Sequence, residues 1–528
     1  MRLVLRKSRI IWDNTSVPRR APFLSWIVAR ATSSLHTTMS PHGLESRLHV
    51  SRVAVIGAGA SGLAAAKYLL AEKKFSEVRI FDQRDTIGGT WAYSPLSVID
   101  NDFTVPRTSP SKRPDTAIRT DDSASPQFVS PVYDFLETNI PHSLMNYTDL
   151  EFAQGSSLFP EHAVVKRYLE EYGKGLTPHL SLSTQILGVS KTDKDGGSVW
   201  EVETLDLKTE EIKRSEFDAV MVASGHYNDP FIPEIKGLAE YNAAHPGAIS
   251  HSKFYRNQLQ FEGKKVVIVG NSASGIDLSA QIATVCQHPV LVSVKTELKT
   301  AEDEAEGAIL KLVPEITEFV PETRSVRFAN GEVESDIDSV VFCTGYFYSF
   351  PFLRALSPPV ITDGSYARNL YEHMLYIDDP TLAFVGIPQR IVPFPIAEAQ
   401  TAWVARLWAG RLAVPPTEEM RAWEAQALAE AGGGGKAIHT MLFPKDVDYL
   451  NKLHKQSLSA ATVEGLENDG KGKLPPYWGP EKRWTRERVP LIKVASRLQG
   501  ERRHEIKTLA ELGFDFEASQ KSQVNDFA

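Results

Sequence analysis

Two glycine-rich segments, each directly behind a run of β-branched residues, are the parts of this 528-residue chain best suited to bind a charged ligand. The first segment follows Val53–Ile56, and the second follows Val266–Val269. Glycine allows the backbone to turn tightly against a pyrophosphate, and the helix that follows offers unpaired N–H groups. We expect pyrophosphate contacts from Gly57, Gly59, Ser61, Gly62, Gly270, Ser272, Ser274 and Gly275. Two such segments predict two bound dinucleotides, between which a protein can move electrons.

A carboxylate strengthens the prediction for the first segment. Val78–Asp82 has the composition of a second β-strand, and its last residue lies 20 residues beyond Gly62. At that place in a βαβ unit, the carboxylate of Asp82 can accept hydrogen bonds from ribose hydroxyl groups. The alternative is a tight turn that binds nothing, followed by a solvated aspartate.

The second segment differs from the first in its polar residues. Ser272 stands where the middle glycine is usual, and Asp277 follows in the predicted helix. The next predicted strand ends near Ser293 and Lys295 rather than at a carboxylate. Because a cation accommodates a 2′-phosphate that a carboxylate would repel, this composition favours NADPH over NADH. We therefore expect Asp277, Ser293 and Lys295 to contact the cofactor; the alternative is an exposed lysine without a partner.

These residues require an α/β fold with two Rossmann-like dinucleotide-binding domains and a helical C-terminal tail. Two apolar strands that end in glycine, Asp218–Gly225 and Asp338–Gly345, frame the second glycine segment, so the chain leaves one domain and later returns to it. The predicted parts are a basic leader (1–47), the first part of the first domain (48–227), the inserted second domain (228–340), the second part of the first domain (341–415) and a helical C-terminal extension (416–528).

Two further stretches show little chemistry in the sequence. Residues 94–131 are rich in Ser, Pro, Asp and Arg without apolar periodicity, which is typical of an excursion over the surface. Beyond Pro415 the chain is helical and polar, and no group of chemistry-bearing residues stands out there. We expect that extension to form helical cover and mobile loops; binding of an unassigned partner is the alternative.

Composition excludes several classes of function. The formal charge of -8 and the lack of a basic stripe argue against nucleic acid as a partner. Cys286 and Cys343 are too few for a disulfide framework, a redox pair or a thiolate metal site. We expect both cysteines to be small buried apolar residues, and we predict no bound metal. No stretch reaches the roughly 18 uninterrupted apolar residues that a transmembrane segment needs.

The first 47 residues have a composition of their own. The first 50 residues contain eight Lys or Arg side chains against two acidic ones, which resembles an organelle transit peptide. The alternative is a start assigned too early, because Met39 could begin a protein that still contains the whole first strand. We expect a cytoplasmic protein, and the basic leader makes a mitochondrial location the alternative.

The stretch that follows Asp82 adds a resemblance to a known family. It contains Gly88 and Gly89, which permit close approach to a cofactor, then Thr90 and Trp91, whose indole can lie beside a flat ring. Further matching stretches are residues 130–141, 245–255 and 343–346. Together they cover most of residues 50–410 and resemble the flavin-containing monooxygenase family, the N- and S-oxygenating branch of the class B flavoprotein monooxygenases.

The identifying motif of that family is kept with one departure. Gly247, His251 and Tyr255 match it, whereas His245 replaces the first aromatic residue. Related Baeyer–Villiger enzymes carry Trp at the position of Tyr255 and Pro or Asp at that of Arg256, so the chain is more similar to the N- and S-oxygenating branch. We expect His251 to pack at a hinge between domains rather than to act as an acid or base.

The resemblance also implies roles for individual residues. FAD would occupy the first glycine segment and the Gly89–Trp91 stretch, and NADPH would occupy the second segment. Asn139, next to Thr138, matches the asparagine near the oxygen-reacting carbon of the flavin, where an amide can hydrogen-bond the cofactor. Its alternative role is to cap a helical turn. Gln400 resembles, more weakly, a late residue that reaches the flavin.

The implied reaction is a monooxygenation. NADPH reduces FAD, the reduced flavin captures dioxygen as a C4a-hydroperoxide, and a soft nitrogen or sulfur atom of a small organic substrate, such as a specialised metabolite, takes up one oxygen atom. One alternative is Baeyer–Villiger oxygenation of a ketone. Another is a flavin-binding regulator or an uncoupled NADPH oxidase that releases hydrogen peroxide. The expected partners are thus a small molecule and dioxygen, and the oligomeric state stays open.

Overall fold

The computed structural model of the protein describes residues 48–96, 103–119, 126–194, 197–295, 309–433 and 435–525. The basic leader lies outside these ranges, so its targeting role stays a prediction. Within the ranges, none of the helices combines the length and the apolarity that crossing a bilayer requires.

A seven-stranded sheet carries the first glycine segment. From one edge to the other, its strands are β18 (Leu370–Tyr371), β19 (Leu375–Tyr376), β20 (Leu382–Phe384), β7 (Ala219–Val222), β1 (Arg52–Ile56), β2 (Glu77–Phe81) and β3 (Leu180–Ser181). The two neighbours of β1 run parallel to it, and Val53 and Val55 on this strand are fully buried. A central parallel strand is covered on both faces, which explains its unbroken apolar sequence.

A five-stranded parallel sheet carries the second glycine segment. Its strands, in spatial order, are β12 (Leu310–Pro314), β11 (Val290–Val294), β10 (Val266–Val269), β16 (Ser339–Phe342) and β9 (Ile249–His251). Helix α5 (Ala273–Ile282) follows β10 through the glycine turn. The strands of this sheet lie, in sequence, between β7 and β18 of the first sheet.

Shorter antiparallel pieces complete the strands. They are β4 (Thr184–Lys194), β5 (Gly197–Asp206) and β6 (Ile212–Phe217) in one sheet, β13 (Ile316–Val320), β14 (Ser325–Phe328) and β15 (Val333–Glu334) in another, and the pair β8 (Asp229–Pro230) and β17 (Tyr346–Phe347). The last pair joins the two segments through which the chain leaves the first sheet and returns to it. This two-stranded ribbon therefore stands at the crossing between the sheets.

Helices cover both sheets and form the C-terminal extension. In the described residues they are α1 (Ala60–Ala71), α2 (His142–Met145), α3 (His162–Tyr172), α4 (Leu238–Ala244), α5, α6 (Pro393–Trp408), α7 (Thr417–Glu430), α8 (Gly435–Ile438), α9 (Lys445–Leu458), α10 (Glu467–Gly470), α11 (Pro480–Arg497) and α12 (Phe516–Asn525). Every residue of α6 from Phe394 to Trp408 is buried, because α1 and α9 pack against it. Three consecutive alanines, Ala64–Ala66, give α1 the smooth surface for this packing.

The predicted α/β class with two Rossmann-like units and a helical tail is confirmed. The numbered domain boundaries stay a prediction, although the strand order agrees with a chain that leaves and re-enters the first sheet. One detail differs: Cys343 is buried as expected, but Cys286 is only partly buried. Cys286 lies beyond the end of α5, at the margin of a core cluster, and its thiol also contacts the carbonyl of Gln287.

Candidate active site

A cavity of about 540 Å³ opens beyond the ends of β1 and β2. Its size falls within the range of small-molecule and cofactor sites. It brings together predicted site residues from separate stretches of the chain: Gly57, Gly59, Ser61, Asp82, Gly89, Thr90, Trp91, Thr138 and Asn139. At the far side it is bounded by Arg390 and Ile391 of the loop before α6 and by Phe394 in the first turn of that helix.

The first glycine turn leaves no space for side chains. Gly57 has φ of 107°, and a Cβ atom there would lie 2.7 Å from the carbonyl oxygen of Ala223. A Cβ atom on Gly62 would lie 1.8 Å from the carbonyl oxygen of Gly57, and one on Gly89 would lie 2.8 Å from the Cα of Gly59. Bare backbone therefore faces the cavity, as a bound pyrophosphate requires.

The second turn repeats this geometry. Gly270 also has φ of 107°, and a Cβ atom on Gly275 would lie 1.9 Å from the Gly270 carbonyl oxygen. The intervening Ser272 has φ of -104° and lies exposed, so a side chain there causes no backbone strain. The serine thus replaces a glycine at a position of the turn where glycine is not required. Gly270, Ser272, Ser274 and Gly275 do not line the cavity described above.

Asp82 connects the first turn to the strand beside it. Its Oδ2 accepts a hydrogen bond from the backbone N–H of Ala58 at 2.7 Å, and its Oδ1 accepts one from that of Arg84 at 2.8 Å. Burial raises the pKa of this carboxyl group, and the two N–H donors oppose that shift. Each carboxylate oxygen has a second lone pair for a ribose hydroxyl. The structure therefore gives Asp82 both a structural role and a place at the cavity.

Asn139 is exposed to the cavity. No described residue forms a hydrogen bond with its amide, and α2 begins after Pro141 without a side-chain cap. Asn139 therefore does not cap α2, which was the alternative role predicted from the sequence. The preceding Thr138 is buried, and its hydroxyl donates to the carbonyl of Ile140 at 2.9 Å. The amide of Asn139 is left for a ligand.

Gln400 does not reach the cavity. Its Oε1 accepts a hydrogen bond from the backbone N–H of Gly386 at 2.9 Å, and its Nε2 donates to the hydroxyl of Tyr449 at 3.1 Å. The side chain lies in the buried run of helix α6. The prediction that Gln400 contacts the flavin is corrected on this point. Of these three residues only Gly386 lines the cavity, so Gln400 is connected to the cavity through Gly386.

The polar residues predicted at the second turn do not form one cluster. The hydroxyl of Ser293 is buried and donates to the carbonyl of Pro314 at 3.0 Å. The carboxylate of Asp277 accepts a hydrogen bond from Tyr133 and lies 3.5 Å from the guanidinium of Arg497. The side chains of Ser293 and Asp277 are thus already bound to other protein groups. Lys295, by contrast, is exposed at the end of β11.

His251 is fully buried at the crossing between the sheets. Its Nε2 donates to the carbonyl of Gly345 at 3.0 Å, and its Nδ1 accepts from the backbone N–H of Lys253 at 3.1 Å. Burial lowers its pKa to about 3, so the ring is neutral at physiological pH. With both nitrogens in use, His251 has the packing role that the sequence predicts.

Part of the predicted surface excursion is a wall of the cavity. Residues 103–115 contribute six lining side chains, and the guanidinium of Arg107 lies 2.6 Å from the carboxylate of Asp229. Asp229 also accepts a hydrogen bond from the backbone N–H of Ser111 at 2.6 Å. Residues 103–115 are held in place by an ion pair and not by an apolar face, so their sequence has no apolar periodicity. This is why the sequence pattern predicted a surface excursion here.

Arg84 is a cavity residue that the sequence patterns missed. Its guanidinium donates to the carbonyls of Gly89 and Val129, each at 3.3 Å, and lines the cavity beside Asp82. Burial lowers its pKa, and the neighbouring carboxylates of Asp82 and Asp115 oppose that shift. The signal in the sequence is a cation two residues after Asp82, the carboxylate predicted to bind a ribose.

Lys295 gives a test of cofactor choice. A Lys295→Ala variant is expected to raise KM for NADPH roughly 3- to 10-fold, the loss that corresponds to an exposed ion pair of about 1 kcal/mol. KM for NADH should change little, because NADH lacks the 2′-phosphate. Steady-state oxidation of both nucleotides measures this, with Lys264→Ala, an exposed lysine before β10, as the control. Equal effects on the two nucleotides would remove Lys295 from the phosphate site.

Comparisons with known proteins agree with this geometry. A flavin-binding monooxygenase-like family model matches residues 120–301 and 295–455, and an NAD(P)-binding Rossmann-like domain model matches residues 55–107. The flavin-containing monooxygenase FMO GS-OX-like 4 of Arabidopsis thaliana is 33% identical over 399 residues, which span 72% of this chain and 81% of the relative. The thiol-specific monooxygenase of Saccharomyces cerevisiae is 32% identical over 387 residues, with coverages of 70% and 80%.

A solved structure shows the same arrangement. The S-allyl-L-cysteine S-oxygenase of Allium sativum superposes with a TM-score of 0.71 at 27% identity, covering 91% of this chain and 100% of that one. The residues of both turns fit a dinucleotide, since each turn is a tight backbone turn whose first and last glycines have no room for a Cβ atom. The chain therefore belongs to the flavin-binding monooxygenase family, as an enzyme that depends on FAD and NADPH.

Proposed function

We propose that this enzyme transfers one oxygen atom of dioxygen to a soft nitrogen or sulfur atom of a small organic substrate. The observation that carries the proposal is the set of contacts made by Arg256. Its guanidinium donates to the carbonyls of Ser130 at 2.8 Å, Val132 at 2.9 Å and Lys253 at 3.2 Å. Two further bonds go to the carbonyls of Leu96 and Tyr255.

These contacts make Arg256 a structural connection between two parts of the site. It joins the segment that leads toward Asn139 to the segment after His251. Neither Pro nor Asp could form this connection, since Pro has no side-chain donor and an ionised Asp only accepts hydrogen bonds. The residues expected of a Baeyer–Villiger enzyme at this position would therefore leave several buried carbonyls without donors.

The names of the relatives support the same choice. One curated relative is a thiol-specific monooxygenase, and the structural neighbour is an S-oxygenase of S-allyl-L-cysteine. We extend to this chain only the shared chemistry, oxygenation at a soft heteroatom.

The protein's part in the reaction is to bind, to orient and to exclude water. The turn at Gly57 and Gly59 would hold the FAD pyrophosphate and Asp82 its ribose, and the bound flavin, reduced by NADPH, supplies the oxygen-activating chemistry. Asn139 would donate a hydrogen bond from a neutral amide, which stabilises an oxygen atom without giving it a full proton. The aromatic and apolar side chains of Trp91, Ile391 and Phe394 keep water away from that place.

A product assay tests the proposal. Holoenzyme is given NADPH and isotopically labelled dioxygen with a thioether, a thiol, a tertiary amine and a cyclic ketone in parallel. We expect label in an S-oxide, a sulfenic acid or an N-oxide, and little in a lactone. Lactone as the main product would overturn the proposal in favour of Baeyer–Villiger chemistry, and hydrogen peroxide as the sole product with every substrate would identify an uncoupled oxidase.

A further inference from the structure

The C-terminal extension reaches the wall of the active-site cavity. It was expected to be cover without chemistry, and the family match ends at residue 455. Helix α11, which lies beyond that point, nevertheless contacts the loop that carries Asn139. The contact comes from one side chain, Lys493.

The ammonium group of Lys493 is held in a buried position. Its Nζ donates to the carbonyl of Thr138 at 2.7 Å and lies 3.4 Å from the carboxylate of Glu137. It also lies 4.2 Å from the centre of the Phe159 ring. The residue is 8% exposed. Thr138 and Glu137 are the two residues directly before Asn139, so this ammonium group binds the base of the catalytic loop.

A buried ammonium needs such partners, because burying a charge without them is costly. The Glu137 carboxylate is itself held from a second side, where the guanidinium of Arg503 lies 2.9 Å away. Burial lowers the pKa of Lys493 to about 8, and the positive charge of Arg497 adds to that shift while Glu137 opposes it. The interaction is therefore specific in geometry and poised to change just above neutral pH.

Other contacts hold α11 in place independently of Lys493. The guanidinium of Arg486 lies 2.6 Å from the carboxylate of Asp446 and donates to the carbonyl of Arg390 at 3.1 Å. Near the other end of the helix, Arg497 lies 3.5 Å from Asp277 of α5. Because the helix is anchored before and after Lys493, replacing this lysine is expected to release the loop and not the helix.

We infer that Lys493 is a positioning residue for the oxygenation reaction, which fixes the backbone at Glu137 and Thr138 and so holds the Asn139 amide in the cavity. This inference rests on the role proposed for Asn139. It adds the C-terminal extension to the active site, with Lys493 as the side chain that binds the carbonyl of Thr138.

Variants at position 493 test the inference through the share of NADPH electrons that ends in hydrogen peroxide. Lys493→Met should raise the ratio of peroxide to oxygenated product roughly fivefold or more, the effect of losing one buried charged hydrogen bond. Lys493→Arg should restore most of the coupling, because a guanidinium can also donate to the Thr138 carbonyl. Lys482→Met, on the same helix but without the contacts that Lys493 makes with Glu137 and Thr138, is the control and should match the wild type. Flavin content and thermal midpoint are measured for each variant.

A double variant separates this inference from the proposed function. If Lys493 acts through Asn139, adding Lys493→Met to Asn139→Ala should raise the peroxide ratio no further. Additive effects, or coupling in Lys493→Met equal to that of the wild type while Asn139→Ala is uncoupled, would overturn the role of Lys493 and leave the function standing. Failure of the wild type to oxygenate any nucleophile would instead contradict the function.

A pH profile adds a readout that loss of structure would not reproduce. Lys493 loses its proton as the pH rises through about 8, and the neutral amine donates a weaker hydrogen bond. Wild-type peroxide release should therefore rise across that range, relative to Lys493→Met. Lys493→Arg should lack the rise, since arginine stays charged. The other charged or titratable groups around this site, Glu137, Asp277, Arg497, Arg503 and His504, are present in all three proteins. Identical pH profiles of peroxide release in the wild type and Lys493→Met would contradict the inference. This holds even if part of the Lys493→Met protein is unfolded, because the comparison uses the shape of the profile.

Discussion

A Gly275→Ala variant is expected to keep its FAD and to lose most of its reduction by NADPH. The new Cβ would lie 1.9 Å from the carbonyl oxygen of Gly270, so the turn or the start of α5 must move. Overpacking of this kind costs about 1–3 kcal/mol, which corresponds to roughly 10- to 100-fold weaker NADPH binding. Anaerobic reduction of the flavin, followed by absorbance at increasing NADPH concentration, measures the change.

Two companion variants show whether the effect is specific to the second turn. Gly62→Ala places a Cβ 1.8 Å from the carbonyl oxygen of Gly57 and should lower the FAD content itself. Ser272→Gly changes a residue with an ordinary φ, so NADPH should reduce the flavin of this variant almost as it does in the wild type. Normal NADPH saturation in Gly275→Ala, with FAD content near that of the wild type, would show that NADPH binds elsewhere.

An Asn139→Ala variant should still oxidise NADPH, but most of the electrons should end in hydrogen peroxide instead of oxygenated product. The amide has no hydrogen-bond partner among the described residues and faces the cavity, so its removal should leave FAD binding and flavin reduction nearly intact. The ratio of hydrogen peroxide to oxygenated product should rise roughly 10- to 100-fold, as expected for the loss of a donor that stabilises a reacting oxygen. Parallel assays of NADPH, peroxide and product give the ratio.

The matched control is Asn330→Ala, which removes an amide from an exposed turn between β14 and β15. That variant should keep wild-type coupling. If Asn139→Ala also keeps wild-type coupling with each of the substrates that the wild type oxygenates, Asn139 has no part in oxygenation. A loss of bound FAD in Asn139→Ala would instead indicate a role in holding the cofactor.

The two glycine turns could be predicted from the sequence because their geometry is local. Gly57 and Gly270 have the same positive φ, and each is followed five residues later by a glycine packed on its carbonyl oxygen. The two glycines of each pair pack on one another, and the other residues around them are the small residues Ala223, Ser224 and Cys343 just beyond the neighbouring strands. Residue types and spacing therefore contain nearly all the information that specifies the turn.

The partners of polar side chains could not be predicted in this way. Asp277 and Gln400 were assigned to cofactors by position, but groups from other elements of the chain bind them: Arg497 of α11 binds the first, and Tyr449 of α9 binds the second. Lys493 looks like an ordinary surface lysine of a polar helix, and only its contact with a carbonyl about 350 residues earlier gives it a role. Such pairings depend on the tertiary fold, which periodicity does not encode.

The strand order has a consequence for synthesis. Strand β7 lies between β1 and β20, so one of its edges stays open until Leu382–Phe384 leaves the ribosome. At about 5–20 residues per second, the chain between these strands takes on the order of 10 to 30 s to appear, and the whole five-stranded sheet is made meanwhile. During that interval the apolar strand Ala219–Val222 is a template for pairing with another nascent chain. Translation that halts before Leu382 should therefore yield an aggregation-prone fragment, whereas release after Phe384 closes the exposed edge.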